Sequence, residues 1–167
     1  AKALHEALRA QRFTGRLVFL DIHTSGTLAD LAQSRADLAI IALPHEDIRT
    51  ALEVAGRMGC RSVMVISSGI GADLAAQLRE IAENEGMFLL GPNCMGLQRP
   101  ALQLNASVAG PLARAGSLAL VSQSGALTAS ILDWARNNAV GFSSVVSVGP
   151  NTAIDIAQVL DFLASDP

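Results

Sequence analysis

The sequence predicts an α/β protein built on parallel strands, and three observations carry that reading. Short apolar runs, Leu38-Ala-Ile-Ile-Ala-Leu43, Val63-Met-Val-Ile66 and Phe88-Leu-Leu90, alternate with amphipathic stretches of helical period. Within the runs, successive residues are apolar rather than alternate ones, the pattern of strands covered on both faces. Of the 167 residues, 50% are hydrophobic and only 4% aromatic, which suits a real core of thin helix–sheet layers. The length allows one domain, or one domain with part of a second.

Taken in order, residues 3–11 read as a helix, Leu17-Val-Phe-Leu20 as a strand and residues 28–33 as a short helix. The run ending at Leu43 is closed by Pro44, and Glu46 and Asp47 fall in the first turn of the next helix, where the helix dipole favours acids. That helix presents Ile48, Ala51, Leu52 and Ala55 on one face and stops near Gly59. The unit then repeats: strand 63–66, loop Ser67-Ser-Gly-Ile-Gly71, and a helix with Asp73 as expected N-cap and Leu74, Leu78, Ile81 and Ala82 inward, closed by Gly86. Residues 100–116 show no clear period and carry Pro100, Gly110, Pro111 and Gly116, which reads as a connection between domains. A second α/β pattern follows. Leu118–Val121 is a strand, Ser122-Gln-Ser-Gly125 a turn, and the helix from Ala126 is expected to turn Leu127, Ile131, Trp134 and Ala135 inward. Val145–Val148 is another strand, and Thr152 with Asp155 three residues later suggests a capped helix to the end. Two strands and two helices make a poor sheet alone, so the stretch is expected to be cut from a longer polypeptide.

Composition excludes several function classes. The net charge is −3 with no basic cluster, so a nucleic-acid surface is not expected. No apolar run approaches the roughly 20 residues of a membrane span, and no signal-peptide pattern opens the chain. Cys60 and Cys94 are isolated thiols without a metal-ligand spacing, which fits a reducing cytoplasm and no metal. Eleven of the 12 basic residues are Arg and the only Lys is Lys2, so a P-loop or Schiff-base lysine is absent. His5, His23 and His45 all lie in the first third, which leaves the second half without a histidine of its own.

Ligands of an open parallel sheet collect at the carboxyl ends of its strands. Four loops occupy that position: Leu43-Pro44-His45, Ser67-Ser68-Gly69, Gly91-Pro92-Asn93-Cys94 and Ser122-Gln123-Ser124-Gly125. The last places two hydroxyls and a glycine at a helix start, where free amides and the helix dipole meet an anion. Ser124 serves equally as a plain N-cap, and both readings stand on the residues alone. Gly91–Gly96 is either a conformationally demanding loop around a buried Cys or a ligand-facing turn. His45 reads as a surface residue, and no residue has a context for a catalytic role.

Taken together, Leu43-Pro44, Ile66-Ser-Ser-Gly-Ile70, Gly91-Pro-Asn-Cys-Met-Gly-Leu97, Gly116 to Thr128 and Gly141 to Pro167 resemble the succinyl-CoA synthetase α-subunit and, more closely, its NDP-forming acyl-CoA synthetase relatives. Leu104-Asn-Ala-Ser107 and Ile131-Leu-Asp-Trp-Ala135 resemble the subgroup fused to a GNAT domain, bacterial protein lysine acetyltransferases in which the synthetase-like part binds acetyl-CoA and regulates. The resemblance implies a Rossmann-like CoA-binding domain over residues 1–110, lacking its N-terminal strand and Gly-rich turn, and the start of a flavodoxin-like ligase domain over 111–167. It implies that Leu43, Pro44, Ser67, Ser68 and Gly69 line a CoA cleft and that Asn93 and Cys94 lie near the pantetheine thiol end. Ser122, Ser124 and Gly125 would form the helix N-terminus that cradles the phosphate of a phosphohistidine, itself expected beyond Pro167.

The implied function is a CoA- or acetyl-CoA-binding synthetase-like module of such an acetyltransferase, not catalytic by itself and holding CoA weakly or not at all alone. One alternative is part of an active NDP-forming acyl-CoA synthetase that makes a thioester through an acyl phosphate and a phosphohistidine. A second is a phosphosugar-binding domain like those of sugar isomerases, suggested by Val121-Ser-Gln-Ser-Gly125, which leaves Gly91–Leu97 unexplained. ATP or ADP would act only through other domains. The expected partners are downstream ATP-grasp and GNAT domains of the same polypeptide and a second copy of the chain, with no nucleic acid and no membrane.

Overall fold

A computed structural model describes residues 2–19, 36–150 and 153–166. After helix α1 (Lys2–Arg9) comes an alternating set: β1 (Leu38–Ile41), α2 (His45–Arg57), β2 (Ser62–Val65), α3 (Ala72–Asn84) and β3 (Phe88–Leu90). β1, β2 and β3 form a parallel three-stranded sheet in that order. α2 and α3 cover one face, where Ile48, Leu52 and Leu78 lose all solvent contact against Val63, Val65 and Leu89. Each such side chain contributes about 1.5–3 kcal/mol through burial. The other face, Met64, Ile66 and Leu90, packs with Leu4 and Leu8 of α1, Ala106, Val148 and Val159. This second cluster joins the parallel sheet to the rest of the molecule.

The second sheet has the order β5–β4–β7–β6, with β4 (Gly96–Arg99), β5 (Leu104–Ser107), β6 (Ala115–Ser122) and β7 (Phe142–Ser147). β4 runs antiparallel to β5 and β7, and β6 runs parallel to β7. α4 (Gly125–Asn137) connects β6 to β7, and α5 (Ile156–Ser165) follows. The architecture is therefore α/β, with a parallel three-stranded sheet followed by a mixed four-stranded one.

Several sequence expectations change. Leu17, Val18 and Phe19 are exposed and form no strand; the Phe19 ring instead meets His5 edge-on at 4.2 Å and lies 5.0 Å from the Arg9 guanidinium. Leu20 and the helix expected over 28–33 lie outside the described residues. Residues 100–116 are not without structure: a 3-10 turn (Pro100–Leu102) and β5 occupy them, and β4 precedes them. These strands escape the apolar pattern because their inward positions are polar. Gln98, Asn105 and Ser107 are all buried. Gln98 donates to Ser107 Oγ (3.1 Å) and to the Pro111 carbonyl (3.2 Å), and its Oε1 accepts from the Ala113 amide (2.9 Å). Ser107 donates to Asn105 Oδ1 (2.7 Å), and Asn105 to the Gly110 carbonyl (3.0 Å). These bonds fasten the turn that leads into β6.

The remaining differences concern helix ends and faces. The N-cap of α3 is Gly71, with Asp73 inside the first turn. Asp155, not Thr152, caps α5, and it closes a capping box with Gln158; Thr152 lies outside the described residues. In α4 the buried residues are Thr128, Leu132 and Ala135, while Leu127 and Trp134 are more than half exposed. The helix is rotated by about one residue, which lets Thr128 donate to the Ser124 carbonyl at 2.9 Å and bury its methyl. No helix among the described residues is long and apolar enough to cross a membrane.

Candidate functional site

The carboxyl ends of β1, β2 and β3 carry three of the four expected loops. Ser67, just past β2, accepts from the Leu43 amide (3.0 Å) and donates to the Leu43 carbonyl (2.7 Å), so one hydroxyl locks the ends of β1 and β2 together. Asn93, beyond β3, reaches the same loop. Its Nδ2 donates to the Ile70 carbonyl (2.8 Å), its Oδ1 accepts from the Ile70 amide (2.9 Å), and its own amide donates to the Ser67 carbonyl (3.2 Å). Both side-chain atoms of Asn93 thus brace the loop at Ile70. Asn93 holds this position with φ 60° after the cis Gly91–Pro92 bond.

Gly91 has φ 88°, and a Cβ there would strike the Val65 carbonyl and sit 3.0 Å from Cys94 Sγ. Cys94 is buried, donates its thiol to that same carbonyl at 3.4 Å, and has its pKa pushed up to about 11 by burial. Such a thiol is neutral and unreactive at neutral pH. Pro44, Ser68 and Gly69 are exposed at the mouth of the cleft, and Leu43 and Ser67 are half-buried. Neither α2, whose N-cap is Pro44, nor α3, whose N-cap is Gly71, has a side-chain cap. Both helices thus start next to the strand ends with no capping side chain, the Asp47 amide donating instead to the Pro44 carbonyl at 3.1 Å, and an uncapped helix start suits a ligand with acceptor oxygens.

The fourth loop sits beside the Gly91–Gly96 segment. Ser122 is buried; its hydroxyl accepts from the Ser124 amide (3.1 Å) and donates to the Ser124 carbonyl (3.2 Å). Ser124 caps α4, accepting from the Leu127 amide at 3.2 Å. Met95 packs onto Gly125 so closely that a Cβ there would lie 2.5 Å from the thioether sulfur. Gly149, with φ 78°, lets the end of β7 approach the Pro92 and Asn93 carbonyls; a Cβ there would lie 2.8–2.9 Å from them. The Met95 amide donates to Ser147 Oγ at 3.1 Å. The Gly91–Gly96 segment is thus the joint between the two groups of loops.

Met95, Ser147 and Gly149 were not among the expected site residues, although Met95 lies in the Gly91–Gly96 loop; His45, expected at the surface, is exposed there. The turn Gly149-Pro-Asn was the available signal, since a glycine beside a proline marks a place where the backbone must come close. Among the described residues no group of three or more His, Cys, Asp or Glu side chains could hold a metal ion.

Comparison with known proteins finds two families in tandem along the chain. Residues 19–100 match the CoA binding domain family and residues 115–167 the succinyl-CoA ligase like flavodoxin domain. The chain is 39% identical over 136 residues to the ADP-forming acetate–CoA ligase I of Archaeoglobus fulgidus, a match covering 78% of this chain and 20% of that enzyme. It is 38% identical over 136 residues to the α subunit of the ADP-forming acetate–CoA ligase I of Pyrococcus furiosus, covering 78% of this chain and 29% of the subunit. Among solved structures, the dinucleotide forming acetyl-coenzyme A synthetase 1 of Ca. Korarchaeum cryptofilum, in complex with phosphate and ADP, superposes with a TM-score of 0.86 at 27% identity. That alignment covers 99% of this chain and 38% of the synthetase. The chain therefore spans between a fifth and two-fifths of the length of these relatives. With both family models matched in tandem and one enzyme class aligned across them, the chain belongs to the succinyl-CoA ligase-like, NDP-forming acetyl-CoA synthetase α-subunit-like family.

Proposed function

We propose that the chain supplies the CoA-binding and phosphate-cradling part of an NDP-forming acyl-CoA ligase acting on a short carboxylic acid of the acetate class. The observation that carries this reading is the joint at Met95–Gly125 and Asn93–Gly149, which sets the strand-end cleft beside the helix start at Ser124. An acyl-phosphate route needs a CoA sulfur and a transferable phosphoryl group within reach of one another. In this reading Leu43, Pro44, Ser67, Ser68 and Gly69 wall the cleft, and Asn93 and Cys94 shape its thiol end from behind. Ser122, Ser124 and Gly125 hold the phosphate of a phosphohistidine through amides and the helix dipole. The histidine, the nucleotide site and an ATP-grasp region are contributed by residues outside this stretch.

The relatives named above are CoA ligases, which favours the ligase over the acetyltransferase reading attached to Leu104–Ser107 and Ile131–Ala135. Those two segments are β5 and the middle of α4. Incubation of the full-length protein with acetate, CoA and ATP is expected to yield acetyl-CoA, ADP and orthophosphate. Absence of thioester together with no thermal-shift response to millimolar CoA sinks the proposal. Ser124→Asp keeps an N-cap acceptor but sets a negative charge where the phosphate would rest. It is expected to lower thioester formation by about 10-fold or more at unchanged melting temperature. Unchanged turnover would return Ser124 to the role of a cap alone.

A further inference from the structure

We propose that His45 is a positioning residue of this cleft, holding the Ser68–Gly69 peptide so that the Gly69 amide points at an acceptor oxygen of the bound CoA; the assignment rests on the CoA reading above. The β2–α3 loop is clamped at both ends, at Ser67 by the two bonds to Leu43 and at Ile70 by the two bonds to Asn93. Its exposed apex, Ser68 and Gly69, is held among the described residues by one hydrogen bond, from His45 Nε2 to the Ser68 carbonyl at 2.9 Å. A carbonyl only accepts, so Nε2 carries the proton and the tautomer is set by the partner.

The geometry of the peptide gives the bond its consequence. The Ser68–Gly69 bond is trans, the cis bond of the described chain being Gly91–Pro92. In a trans peptide the carbonyl and the following N–H point in opposite directions. Tying the Ser68 carbonyl back toward α2 therefore turns the Gly69 N–H away from His45, and it finds no acceptor among the described residues. The imidazole also covers one side of Gly69, 3.7 Å from where a Cβ would stand, and Gly69 keeps φ 79°. The apex is thus preset before a ligand arrives, which lowers the ordering cost of binding.

The test uses His45→Ala, His45→Phe and His45→Gln in the complete enzyme. His45 is exposed at the first turn of α2, so none of the three disturbs the core. Ala and Phe lose the bond, and Phe keeps a ring over Gly69; Gln restores a donor at similar reach. Loss of one such bond is expected to raise the KM for CoA by roughly 3-fold to 10-fold, with kcat and the KM for the acid within about twofold. His45→Gln is expected to return the KM for CoA to within about twofold of the parent. Amide exchange at Gly69 should quicken in the Ala and Phe variants and not in Gln. A KM for CoA unchanged in His45→Ala, or a Gln variant as impaired as Ala, overturns the assignment while leaving the CoA cleft standing. A parent enzyme that binds no CoA overturns both.

Discussion

The two halves of the molecule treat the backbone at their helix starts in opposite ways. In the β1–β3 half, α2 and α3 begin at Pro44 and Gly71 with no side-chain cap, and the polar side chains nearby, Ser67, Asn93 and His45, tie loop to loop. In the β4–β7 half, Ser124 and Asp155 cap their helices, and Gln98, Asn105 and Ser107 are spent inside on the chain's own carbonyls and amides. The first half leaves both of its helix starts without a capping side chain, and the second caps both of its own. In the reading proposed above, the CoA side forgoes the capping that stabilises a helix and its loop braces compensate, while the phosphate side keeps the Ser124 cap.

That contrast can be broken most strongly at the joint. Gly91→Ala places a Cβ against the Val65 carbonyl in a left-handed backbone, and is expected to cost about 3 kcal/mol or more in chemical denaturation. Gln98→Ala removes the buried partner of Ser107, Pro111 and Ala113 and should cost about 2–3 kcal/mol, with the turn before β6 becoming labile to proteolysis. A Cys94 thiol held up to about 11 in the fold, against 9.0 unfolded, makes stability fall as pH rises through that window, because the unfolded chain sheds its proton first. The loss from Cys94 should be of order 2 kcal/mol between pH 8 and 11, read by urea titration, and Cys94→Ala should remove that part and leave the part due to Cys60, whose thiol burial also pushes up.

Smaller effects sharpen the comparison. Asp155→Ala is expected to cost about 1 kcal/mol in the second half through the lost capping box. Gly71→Ser, at a position with φ −72° and open space around it, supplies the missing cap of α3 and should raise stability by a few tenths of a kcal/mol. The same change should weaken CoA binding, measured by calorimetry, because the new hydroxyl competes for the amides of that turn. A serine that stabilises without affecting CoA would break the proposed reason for the uncapped ends.

The parallel half was legible wherever burial was apolar and regular. Leu38–Ile41, Ser62–Val65 and Phe88–Leu90 carry runs of residues that have one physical use, and the helices between them show a single apolar face. Candidate loops followed from strand polarity alone; the structure ties the first three together and sets the fourth against the Gly91–Gly96 segment. The antiparallel pair β4–β5 was not legible, because its inward side chains are an amide and hydroxyls whose partners lie across the turn at 108–113. Nor was the face of α4, where the choice between Leu127 and Thr128 depends on a hydrogen bond to Ser124 and on the sheet beneath.

The sequence by itself determined the α/β class, the order of the parallel strands' elements, the four loops and the scarcity of lysine in this chain, where Lys2 is the only one, since these depend on local period and residue type. The tertiary structure decided which atoms of those loops are spoken for. Asn93 is consumed by Ile70, Cys94 is buried behind Gly91, His45 holds Ser68, and Met95 rests on Gly125. Those pairings join residues that are far apart in the chain, and hydrogen bonds and close backbone approaches of that kind leave no periodic trace in the residues that make them.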